Sequence, residues 1–190
     1  MPVLVPSIVG ALVPNLASVG ALGTGVPNLA RAIALGLSQW ASLVAVTTVD
    51  VGTAGVGKNV PLPITVPTPV LYSNLLIGAA SQGLAGIFMP SFTLGLTNGL
   101  VLSFVQMLIN TQHPGVGVGA GVAKFIGPPA GLSMIAGFQQ AGLNGSSAVK
   151  KALAIGTGLD LTFAVLFLPV VIVGPPSIFP GAGVGFGKII

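Results

Sequence analysis

Acidic side chains are all but missing from this chain: it has no glutamate, and Asp50 and Asp160 are its only carboxylates. Cysteine is absent as well, which excludes disulfides and thiolate metal sites and leaves the redox compartment open. Histidine occurs once, as His113, so two acids and one imidazole are too few for a metal site built by a single chain. His113 stands between Gln112 and Pro114, without a thiol nucleophile or a nucleophile-elbow pattern anywhere in the sequence. It reads as a solvated loop histidine. The expectation is a protein without catalysis, cofactor or metal.

Charge of either sign is scarce. Only 4% of the 190 residues are charged, against roughly a quarter in average soluble domains. A soluble monomer of this composition would expose very large apolar patches, so most of its surface must be hidden in lipid or against neighbouring subunits. The net charge of +4 comes from Arg31, Lys58, Lys124, Lys150, Lys151 and Lys188. These are scattered and not interleaved with aromatics, so no nucleic acid is expected as partner. Met1-Pro2-Val3 lacks a basic start, and Pro6 and Pro14 interrupt the first apolar run, so no cleavable leader is expected.

What is present is order. Three stretches of about 60 residues share a sequence of parts, with units at approximately 1–60, 61–125 and 126–190 of a single domain, 1–190. Each unit opens on proline and continues with a short apolar segment: SIVGALVPNLASVGALG, YSNLLIGAASQGLAGIF or GLSMIAGFQQAGLNG. A longer apolar segment follows, and then a Gly-Val-Gly tail that ends in Lys58, Lys124 or Lys188. In the longer segments Arg31-Ala-Ile-Ala-Leu-Gly36 lines up with Lys151-Ala-Leu-Ala-Ile-Gly156, and Gly95 takes the equivalent place in the middle unit.

The apolar segments are longer than typical strands and built on Leu and Ala without strict alternation, which predicts helices. The tails and the proline-rich stretch 59–70 cannot be helical and read as extended or polyproline-like connectors. The fold expected is therefore all-α: three tandem helical hairpins joined by extended Pro/Gly-rich arms.

Two settings compete for the hidden surface. A bilayer span needs about 20 apolar residues; Ala152–Val173 qualifies, and Phe92–Ile109 and Leu29–Val46 nearly do. Small residues four apart, as at Gly95 and Gly99, Ala32 and Gly36, and Ala152 and Gly156, suit close helix packing. Gly36, Gly95, Gly99 and Gly156 are the candidate packing residues. Against a simple membrane protein stand the long Pro- and Gly-rich arms and a basic signal limited to Lys150-Lys151. Such arms suit subunits that reach across to one another in rings, shells or tails.

Asp160 lies in GTGLDLTFAVLFL and admits two readings. One is an ion or proton site on a polar path. The other is a structural carboxylate held by backbone donors or by a lysine, in the first turn of a helix that starts late. Trp40 and Tyr72 flank apolar segments, as interfacial anchors or as packing residues.

The stretch GTAGVGKN at 52–59 has a phosphate-loop look, with Asn59 where Ser or Thr would hold magnesium. Asn59-Val-Pro-Leu-Pro forbids the helix start that such a loop needs, so nucleotide is not expected. The function expected is a non-catalytic structural subunit of a homo-oligomeric assembly, embedded in a membrane or directed at one. A ring, plug or membrane-penetrating part of a phage tail or injection machine is the concrete form. Its partners would be itself, other structural proteins of the assembly and the lipid bilayer, at a membrane or in a virion or secretion-type particle. The alternative is a small integral membrane channel or transporter, with a polar path past Asp160.

Overall fold

A computed structural model describes residues 4–41, 45–53, 56–60, 68–105, 108–110, 112–113, 118–126, 130–165, 168–173 and 181–189. Among these are six helices: α1 (Leu4–Ser18), α2 (Gly25–Ala41), α3 (Thr68–Ser81), α4 (Met89–Val105), α5 (Ala130–Gln140) and α6 (Ser146–Val165). The expectation of an α fold holds for them, and every residue whose side-chain burial is described lies in a helix or a helix–helix turn.

Each helix packs on the next along the chain, and α6 packs back on α1, so the six close into a ring. One continuous apolar cluster fills it, with Ile8, Leu12, Leu16, Ile33, Leu37, Leu71, Leu100, Phe104, Met134, Phe138, Ile155 and Leu159 shut off from solvent. Burial of each such side chain stabilises by about 1.5–3 kcal/mol. Trp40 is part of this cluster, its ring stacked on Phe104 with centroids 4.6 Å apart, and so packs in the core and does not anchor an interface.

Three tight turns join α1 to α2, α3 to α4 and α5 to α6, and they are built alike. Helices α1, α3 and α5 end on Gly20, Gly83 and Gly142, with φ of 81°, 69° and 79°. That left-handed conformation is cheap only for glycine. The following N–H then reaches back into the helix: Ala21 to the Leu16 carbonyl (3.1 Å), Leu84 to Ala79 (3.0 Å) and Leu143 to Phe138 (2.9 Å). The glycine N–H groups bond to Ala17, Ala80 and Gln139, completing the two-bond cap that satisfies a helix C-terminus. Three residues on, Gly23, Gly86 and Gly145 accept the first bonds of the second helix, from Val26, Met89 and Val149.

Between the helix pairs, the described residues form paired strands. The strands are β1 (Ala45–Thr53), β2 (Val56–Val60), β3 (Leu108–Asn110), β4 (Gln112–His113), β5 (Val118–Ile126), β6 (Leu168–Val173) and β7 (Gly181–Ile189). Their order is β3-β5-β6-β7-β1-β2-β4, with every neighbouring pair antiparallel. The two ends of that order, β3 and β4, are separated in the chain by one residue. Residues 108–110 pair with β5, and 112–113 pair with β2.

Where described, these connecting segments pair as strands. Runs such as AVTTVDV and GVGFGKI alternate with period two and supply β-branched residues, which favours strands. The proline runs in 61–67, 127–129 and 174–180 lie outside the described residues.

The expected spans also shorten. Leu29–Val46, Phe92–Ile109 and Ala152–Val173 each run past the end of a helix into a strand, because Val and Ile keep the apolar run going after the helix has stopped. Among the described residues no helix is long and apolar enough to cross a membrane.

Candidate functional site

Helices α1, α3 and α5 each carry a side chain that meets a glycine of another hairpin. A methyl group at Gly36 of α2 would sit 2.8 Å from the Leu75 Cα of α3. At Gly99 of α4 it would sit 2.8 Å from the Met134 Cα of α5, and at Gly158 of α6, 3.3 Å from the Leu12 Cα of α1. Leu12, Leu75 and Met134 hold the same place before their turn glycines, and all three are buried. The flanking core follows suit in the triplets Leu16, Ala79 and Phe138; Ile33, Leu96 and Ile155; and Leu37, Leu100 and Leu159.

Two other candidate glycines lie at close contacts one layer away. Gly95 backs onto Phe138, whose Cα would be 3.2 Å from a methyl group there, and Gly156 backs onto the Ala130 and Gly131 backbone. Gly137, which sequence reading passed over, faces the backbone of both Gly95 and Gly99. The geometry matches Gly36 with Gly99 and Gly158, two residues away from the sequence match of Gly36 with Gly156. The signal that fixes the register is the turn itself, Gly-x-x-Gly, written GALG at 20–23, GLAG at 83–86 and GLNG at 142–145.

Asp160 lies well inside α6, which begins at Ser146, and not in a first turn. That corrects the idea of a late helix start. The Ser146-Val165 helix is continuous because its N-terminal residues, Ser-Ser-Ala-Val-Lys-Lys, are compatible with helix and follow the Gly145 turn directly. What Asp160 holds is the start of a different helix. The Ala130 N–H donates to both carboxylate oxygens, at 2.9 and 2.8 Å, and Gly131 N–H adds a further bond.

The reason lies in α5. Pro128-Pro129 precede it, and it begins at Ala130, whose counterparts Ile8 and Leu71 lie well inside α1 and α3. The shorter helix leaves the N–H groups of its first residues inside the bundle, with Ala130 almost fully buried. A carboxylate from α6 satisfies them, and the helix dipole favours its charge. Burial pushes the Asp160 carboxyl above the ordinary carboxylate value, and the bonds from Ala130 and Gly131 oppose that rise.

Other polar groups serve the helices locally. Thr97 and Thr162 donate to the carbonyls of Thr93 and Gly158, at 2.8 and 2.9 Å, and Asn15 donates through Nδ2 to Ala11 at 2.8 Å. The last bond lies one turn below Pro14, which has no N–H of its own to give. Among the described residues no three of His, Cys, Asp and Glu come together as metal ligands.

The described residues of the phosphate-loop look-alike, 52–53 and 56–59, lie in two paired strands, with Gly52 opposite Gly57 and Lys58 opposite Val51. His113 is paired along the backbone with Gly57. Neither stretch begins a helix.

One hollow of about 340 Å³ opens near the α3–α4 and α5–α6 turns. Phe88, Phe92, Phe138, Leu143 and Ala148 line it, Lys151 stands among them, and Phe92 meets Phe138 edge to face at 5.2 Å. No protein-family profile matches the chain, and neither a curated protein nor a solved structure matches it.

Proposed function

We propose that the chain is a non-catalytic structural subunit of a homo-oligomeric assembly directed at a membrane, built from three tandem helical-hairpin units with extended tails. The observation that carries this reading is the outside of the helix ring. Ile77, Leu94, Leu132, Leu153 and Leu161 are exposed there, on a chain with almost no charge to offset them. Apolar side chains of that kind, with so little charge around them, suit cover by a neighbour. The repeated turns, the matched glycine contacts and the shared core triplets support the triplication, and a pseudo-threefold subunit suits a threefold or sixfold partner. A ring, plug or membrane-penetrating part of a phage tail or injection machine has this character.

The channel or transporter alternative has less support. Asp160 is committed to the backbone of α5, and Leu12, Leu75 and Met134 are buried in packed side chains. Sedimentation of the purified chain with and without detergent tests the proposal. A defined homo-oligomer or a larger assembly is expected in both. A monodisperse monomer that stays soluble without detergent overturns it.

A further inference from the structure

The three hairpin turns lie at one end of the ring, because neighbouring hairpins pack antiparallel with their turns in register, as Gly36 on Leu75 and Gly99 on Met134 require. Large apolar side chains stand out from that end. Leu22 is 81% exposed in the first turn, and Ile87 and Phe88 are 87% and 76% exposed in the second. In the third unit the matching places are polar, Asn144, Ser146 and Ser147, and the basic pair Lys150-Lys151 follows in the first turns of α6. From these features we infer that the turn end is a docking face for an anionic lipid bilayer. Leu22, Ile87 and Phe88 enter the acyl boundary, and Lys150 and Lys151 meet the headgroups.

Charge decides what covers this face. The lysines favour a negative partner, and a second copy of the chain offers few acidic side chains. Its only carboxylates are Asp50 and Asp160, and Asp160 is taken up by Ala130. A bilayer with anionic headgroups supplies both the charge and the apolar layer, the combination to which interfacial elements bind. The hollow beside Phe88 repeats the same chemistry on a smaller scale, a phenyl-lined recess for an acyl chain with Lys151 beside it.

This inference rests on the membrane-directed reading and names the surface that makes the contact. Flotation of the full-length protein with phosphatidylcholine vesicles, with and without phosphatidylglycerol, tests it. Binding is expected to be stronger with phosphatidylglycerol and to weaken as salt rises. Lys150→Gln with Lys151→Gln is expected to lower binding to the anionic vesicles by roughly fivefold per lysine and leave the neutral ones unchanged. Ile87→Ser with Phe88→Ser is expected to lower binding to both by roughly tenfold or more. These four side chains are exposed or half-buried, and an unchanged melting temperature verifies that the variants fold.

Assembly without vesicle binding overturns the docking face and leaves the subunit proposal standing, whereas vesicle binding by a stable monomer does the reverse. Loss of self-association in the serine variant, with vesicle binding intact, assigns the face to a second copy and overturns the inference. Binding to an acidic protein in place of vesicles overturns it too.

Discussion

The α4–α5 and α6–α1 contacts occupy matching places in the ring, yet they are made of different residues. In the first, Gly95 and Gly99 of one helix face Gly137 of the other, so backbone meets backbone. In the second, Gly158 meets Leu12, and the places matching Gly95 and Gly137 hold Ala154 and Asn15. Matching places before and after the turns thus fix the level at which two helices approach, and the residues of each pair settle how close they come. The closer contact tolerates less. A methyl group on Gly137 would fall against the Gly99 N–H and within 2.6 Å of the Gly95 carbonyl oxygen, neither of which can move without the helix. At Gly158 the nearest atom is the end of the Leu12 side chain, at 2.9 Å.

Substituting alanine at graded places breaks the comparison where it is sharpest. Gly137→Ala is expected to destabilise most, by about 3 kcal/mol or more, because overpacking against backbone cannot be relieved by a rotamer change. Denaturant unfolding followed by the single Trp40, stacked in the core on Phe104, measures it. An effect below that of Gly158→Ala would remove the claim that α4 and α5 form the tightest contact.

Asp160→Ala comes next, at about 1–3 kcal/mol, the cost of leaving the buried Ala130 N–H without a partner. Asp160→Asn retains one acceptor and is expected to recover part of that loss. If Asp160 served a transport path in place of the helix start, neither substitution would change stability.

Gly158→Ala is expected to fall within about 1 kcal/mol of the parent, since the gain in helix propensity offsets a contact that Leu12 can relieve. Gly10→Ala lies in α1 with open space around it and is expected to stabilise by about 0.5–1 kcal/mol. The same chemical change thus runs from strongly harmful to helpful as the neighbouring helix recedes. A thermal-unfolding series over the three sites reads that order directly.

How much of this was legible in the sequence follows from where its signals are local. Leu- and Ala-rich segments predict helices because that preference needs no knowledge of the fold, and six helices form among the described residues. Their ends are not legible from hydrophobicity. Val170-Val171-Ile172-Val173 continues the apolar run of α6 but pairs with β5 and β7 as a strand, which β-branched residues favour and apolarity alone does not reveal. The register between the helix pairs follows the Gly-x-x-Gly turns and not the similar strings RAIALG and KALAIG, because the turn fixes where a helix begins while Ala and Leu recur everywhere. That Asp160 could be held by backbone donors is readable, as one of the alternatives, from one carboxylate in an apolar segment. Which donors is not, since the need arises in α5, whose shortness depends on how the hairpins stack.

The smallest expected effect concerns proton binding at that same contact. Burial raises the Asp160 carboxyl above its ordinary value of 3.8, outweighing the bonds from the Ala130 and Gly131 N–H groups. In the unfolded chain the burial is gone, and the group titrates at the ordinary value. Between the two values the folded protein holds more proton than the unfolded one, so this group's contribution to stability falls as pH rises. It is largest below 3.8, is lost through the raised folded value, and is flat above it. Asp160→Asn carries no such proton. Subtracting its unfolding free energy from that of the parent, over a series of acidic pH values, isolates the term. The difference should move against the parent as pH rises through that window. A move in the parent's favour would mean that the α5 donors hold the carboxylate more strongly than burial opposes it, so that the contact between α6 and the shortened helix is a charge-stabilised cap.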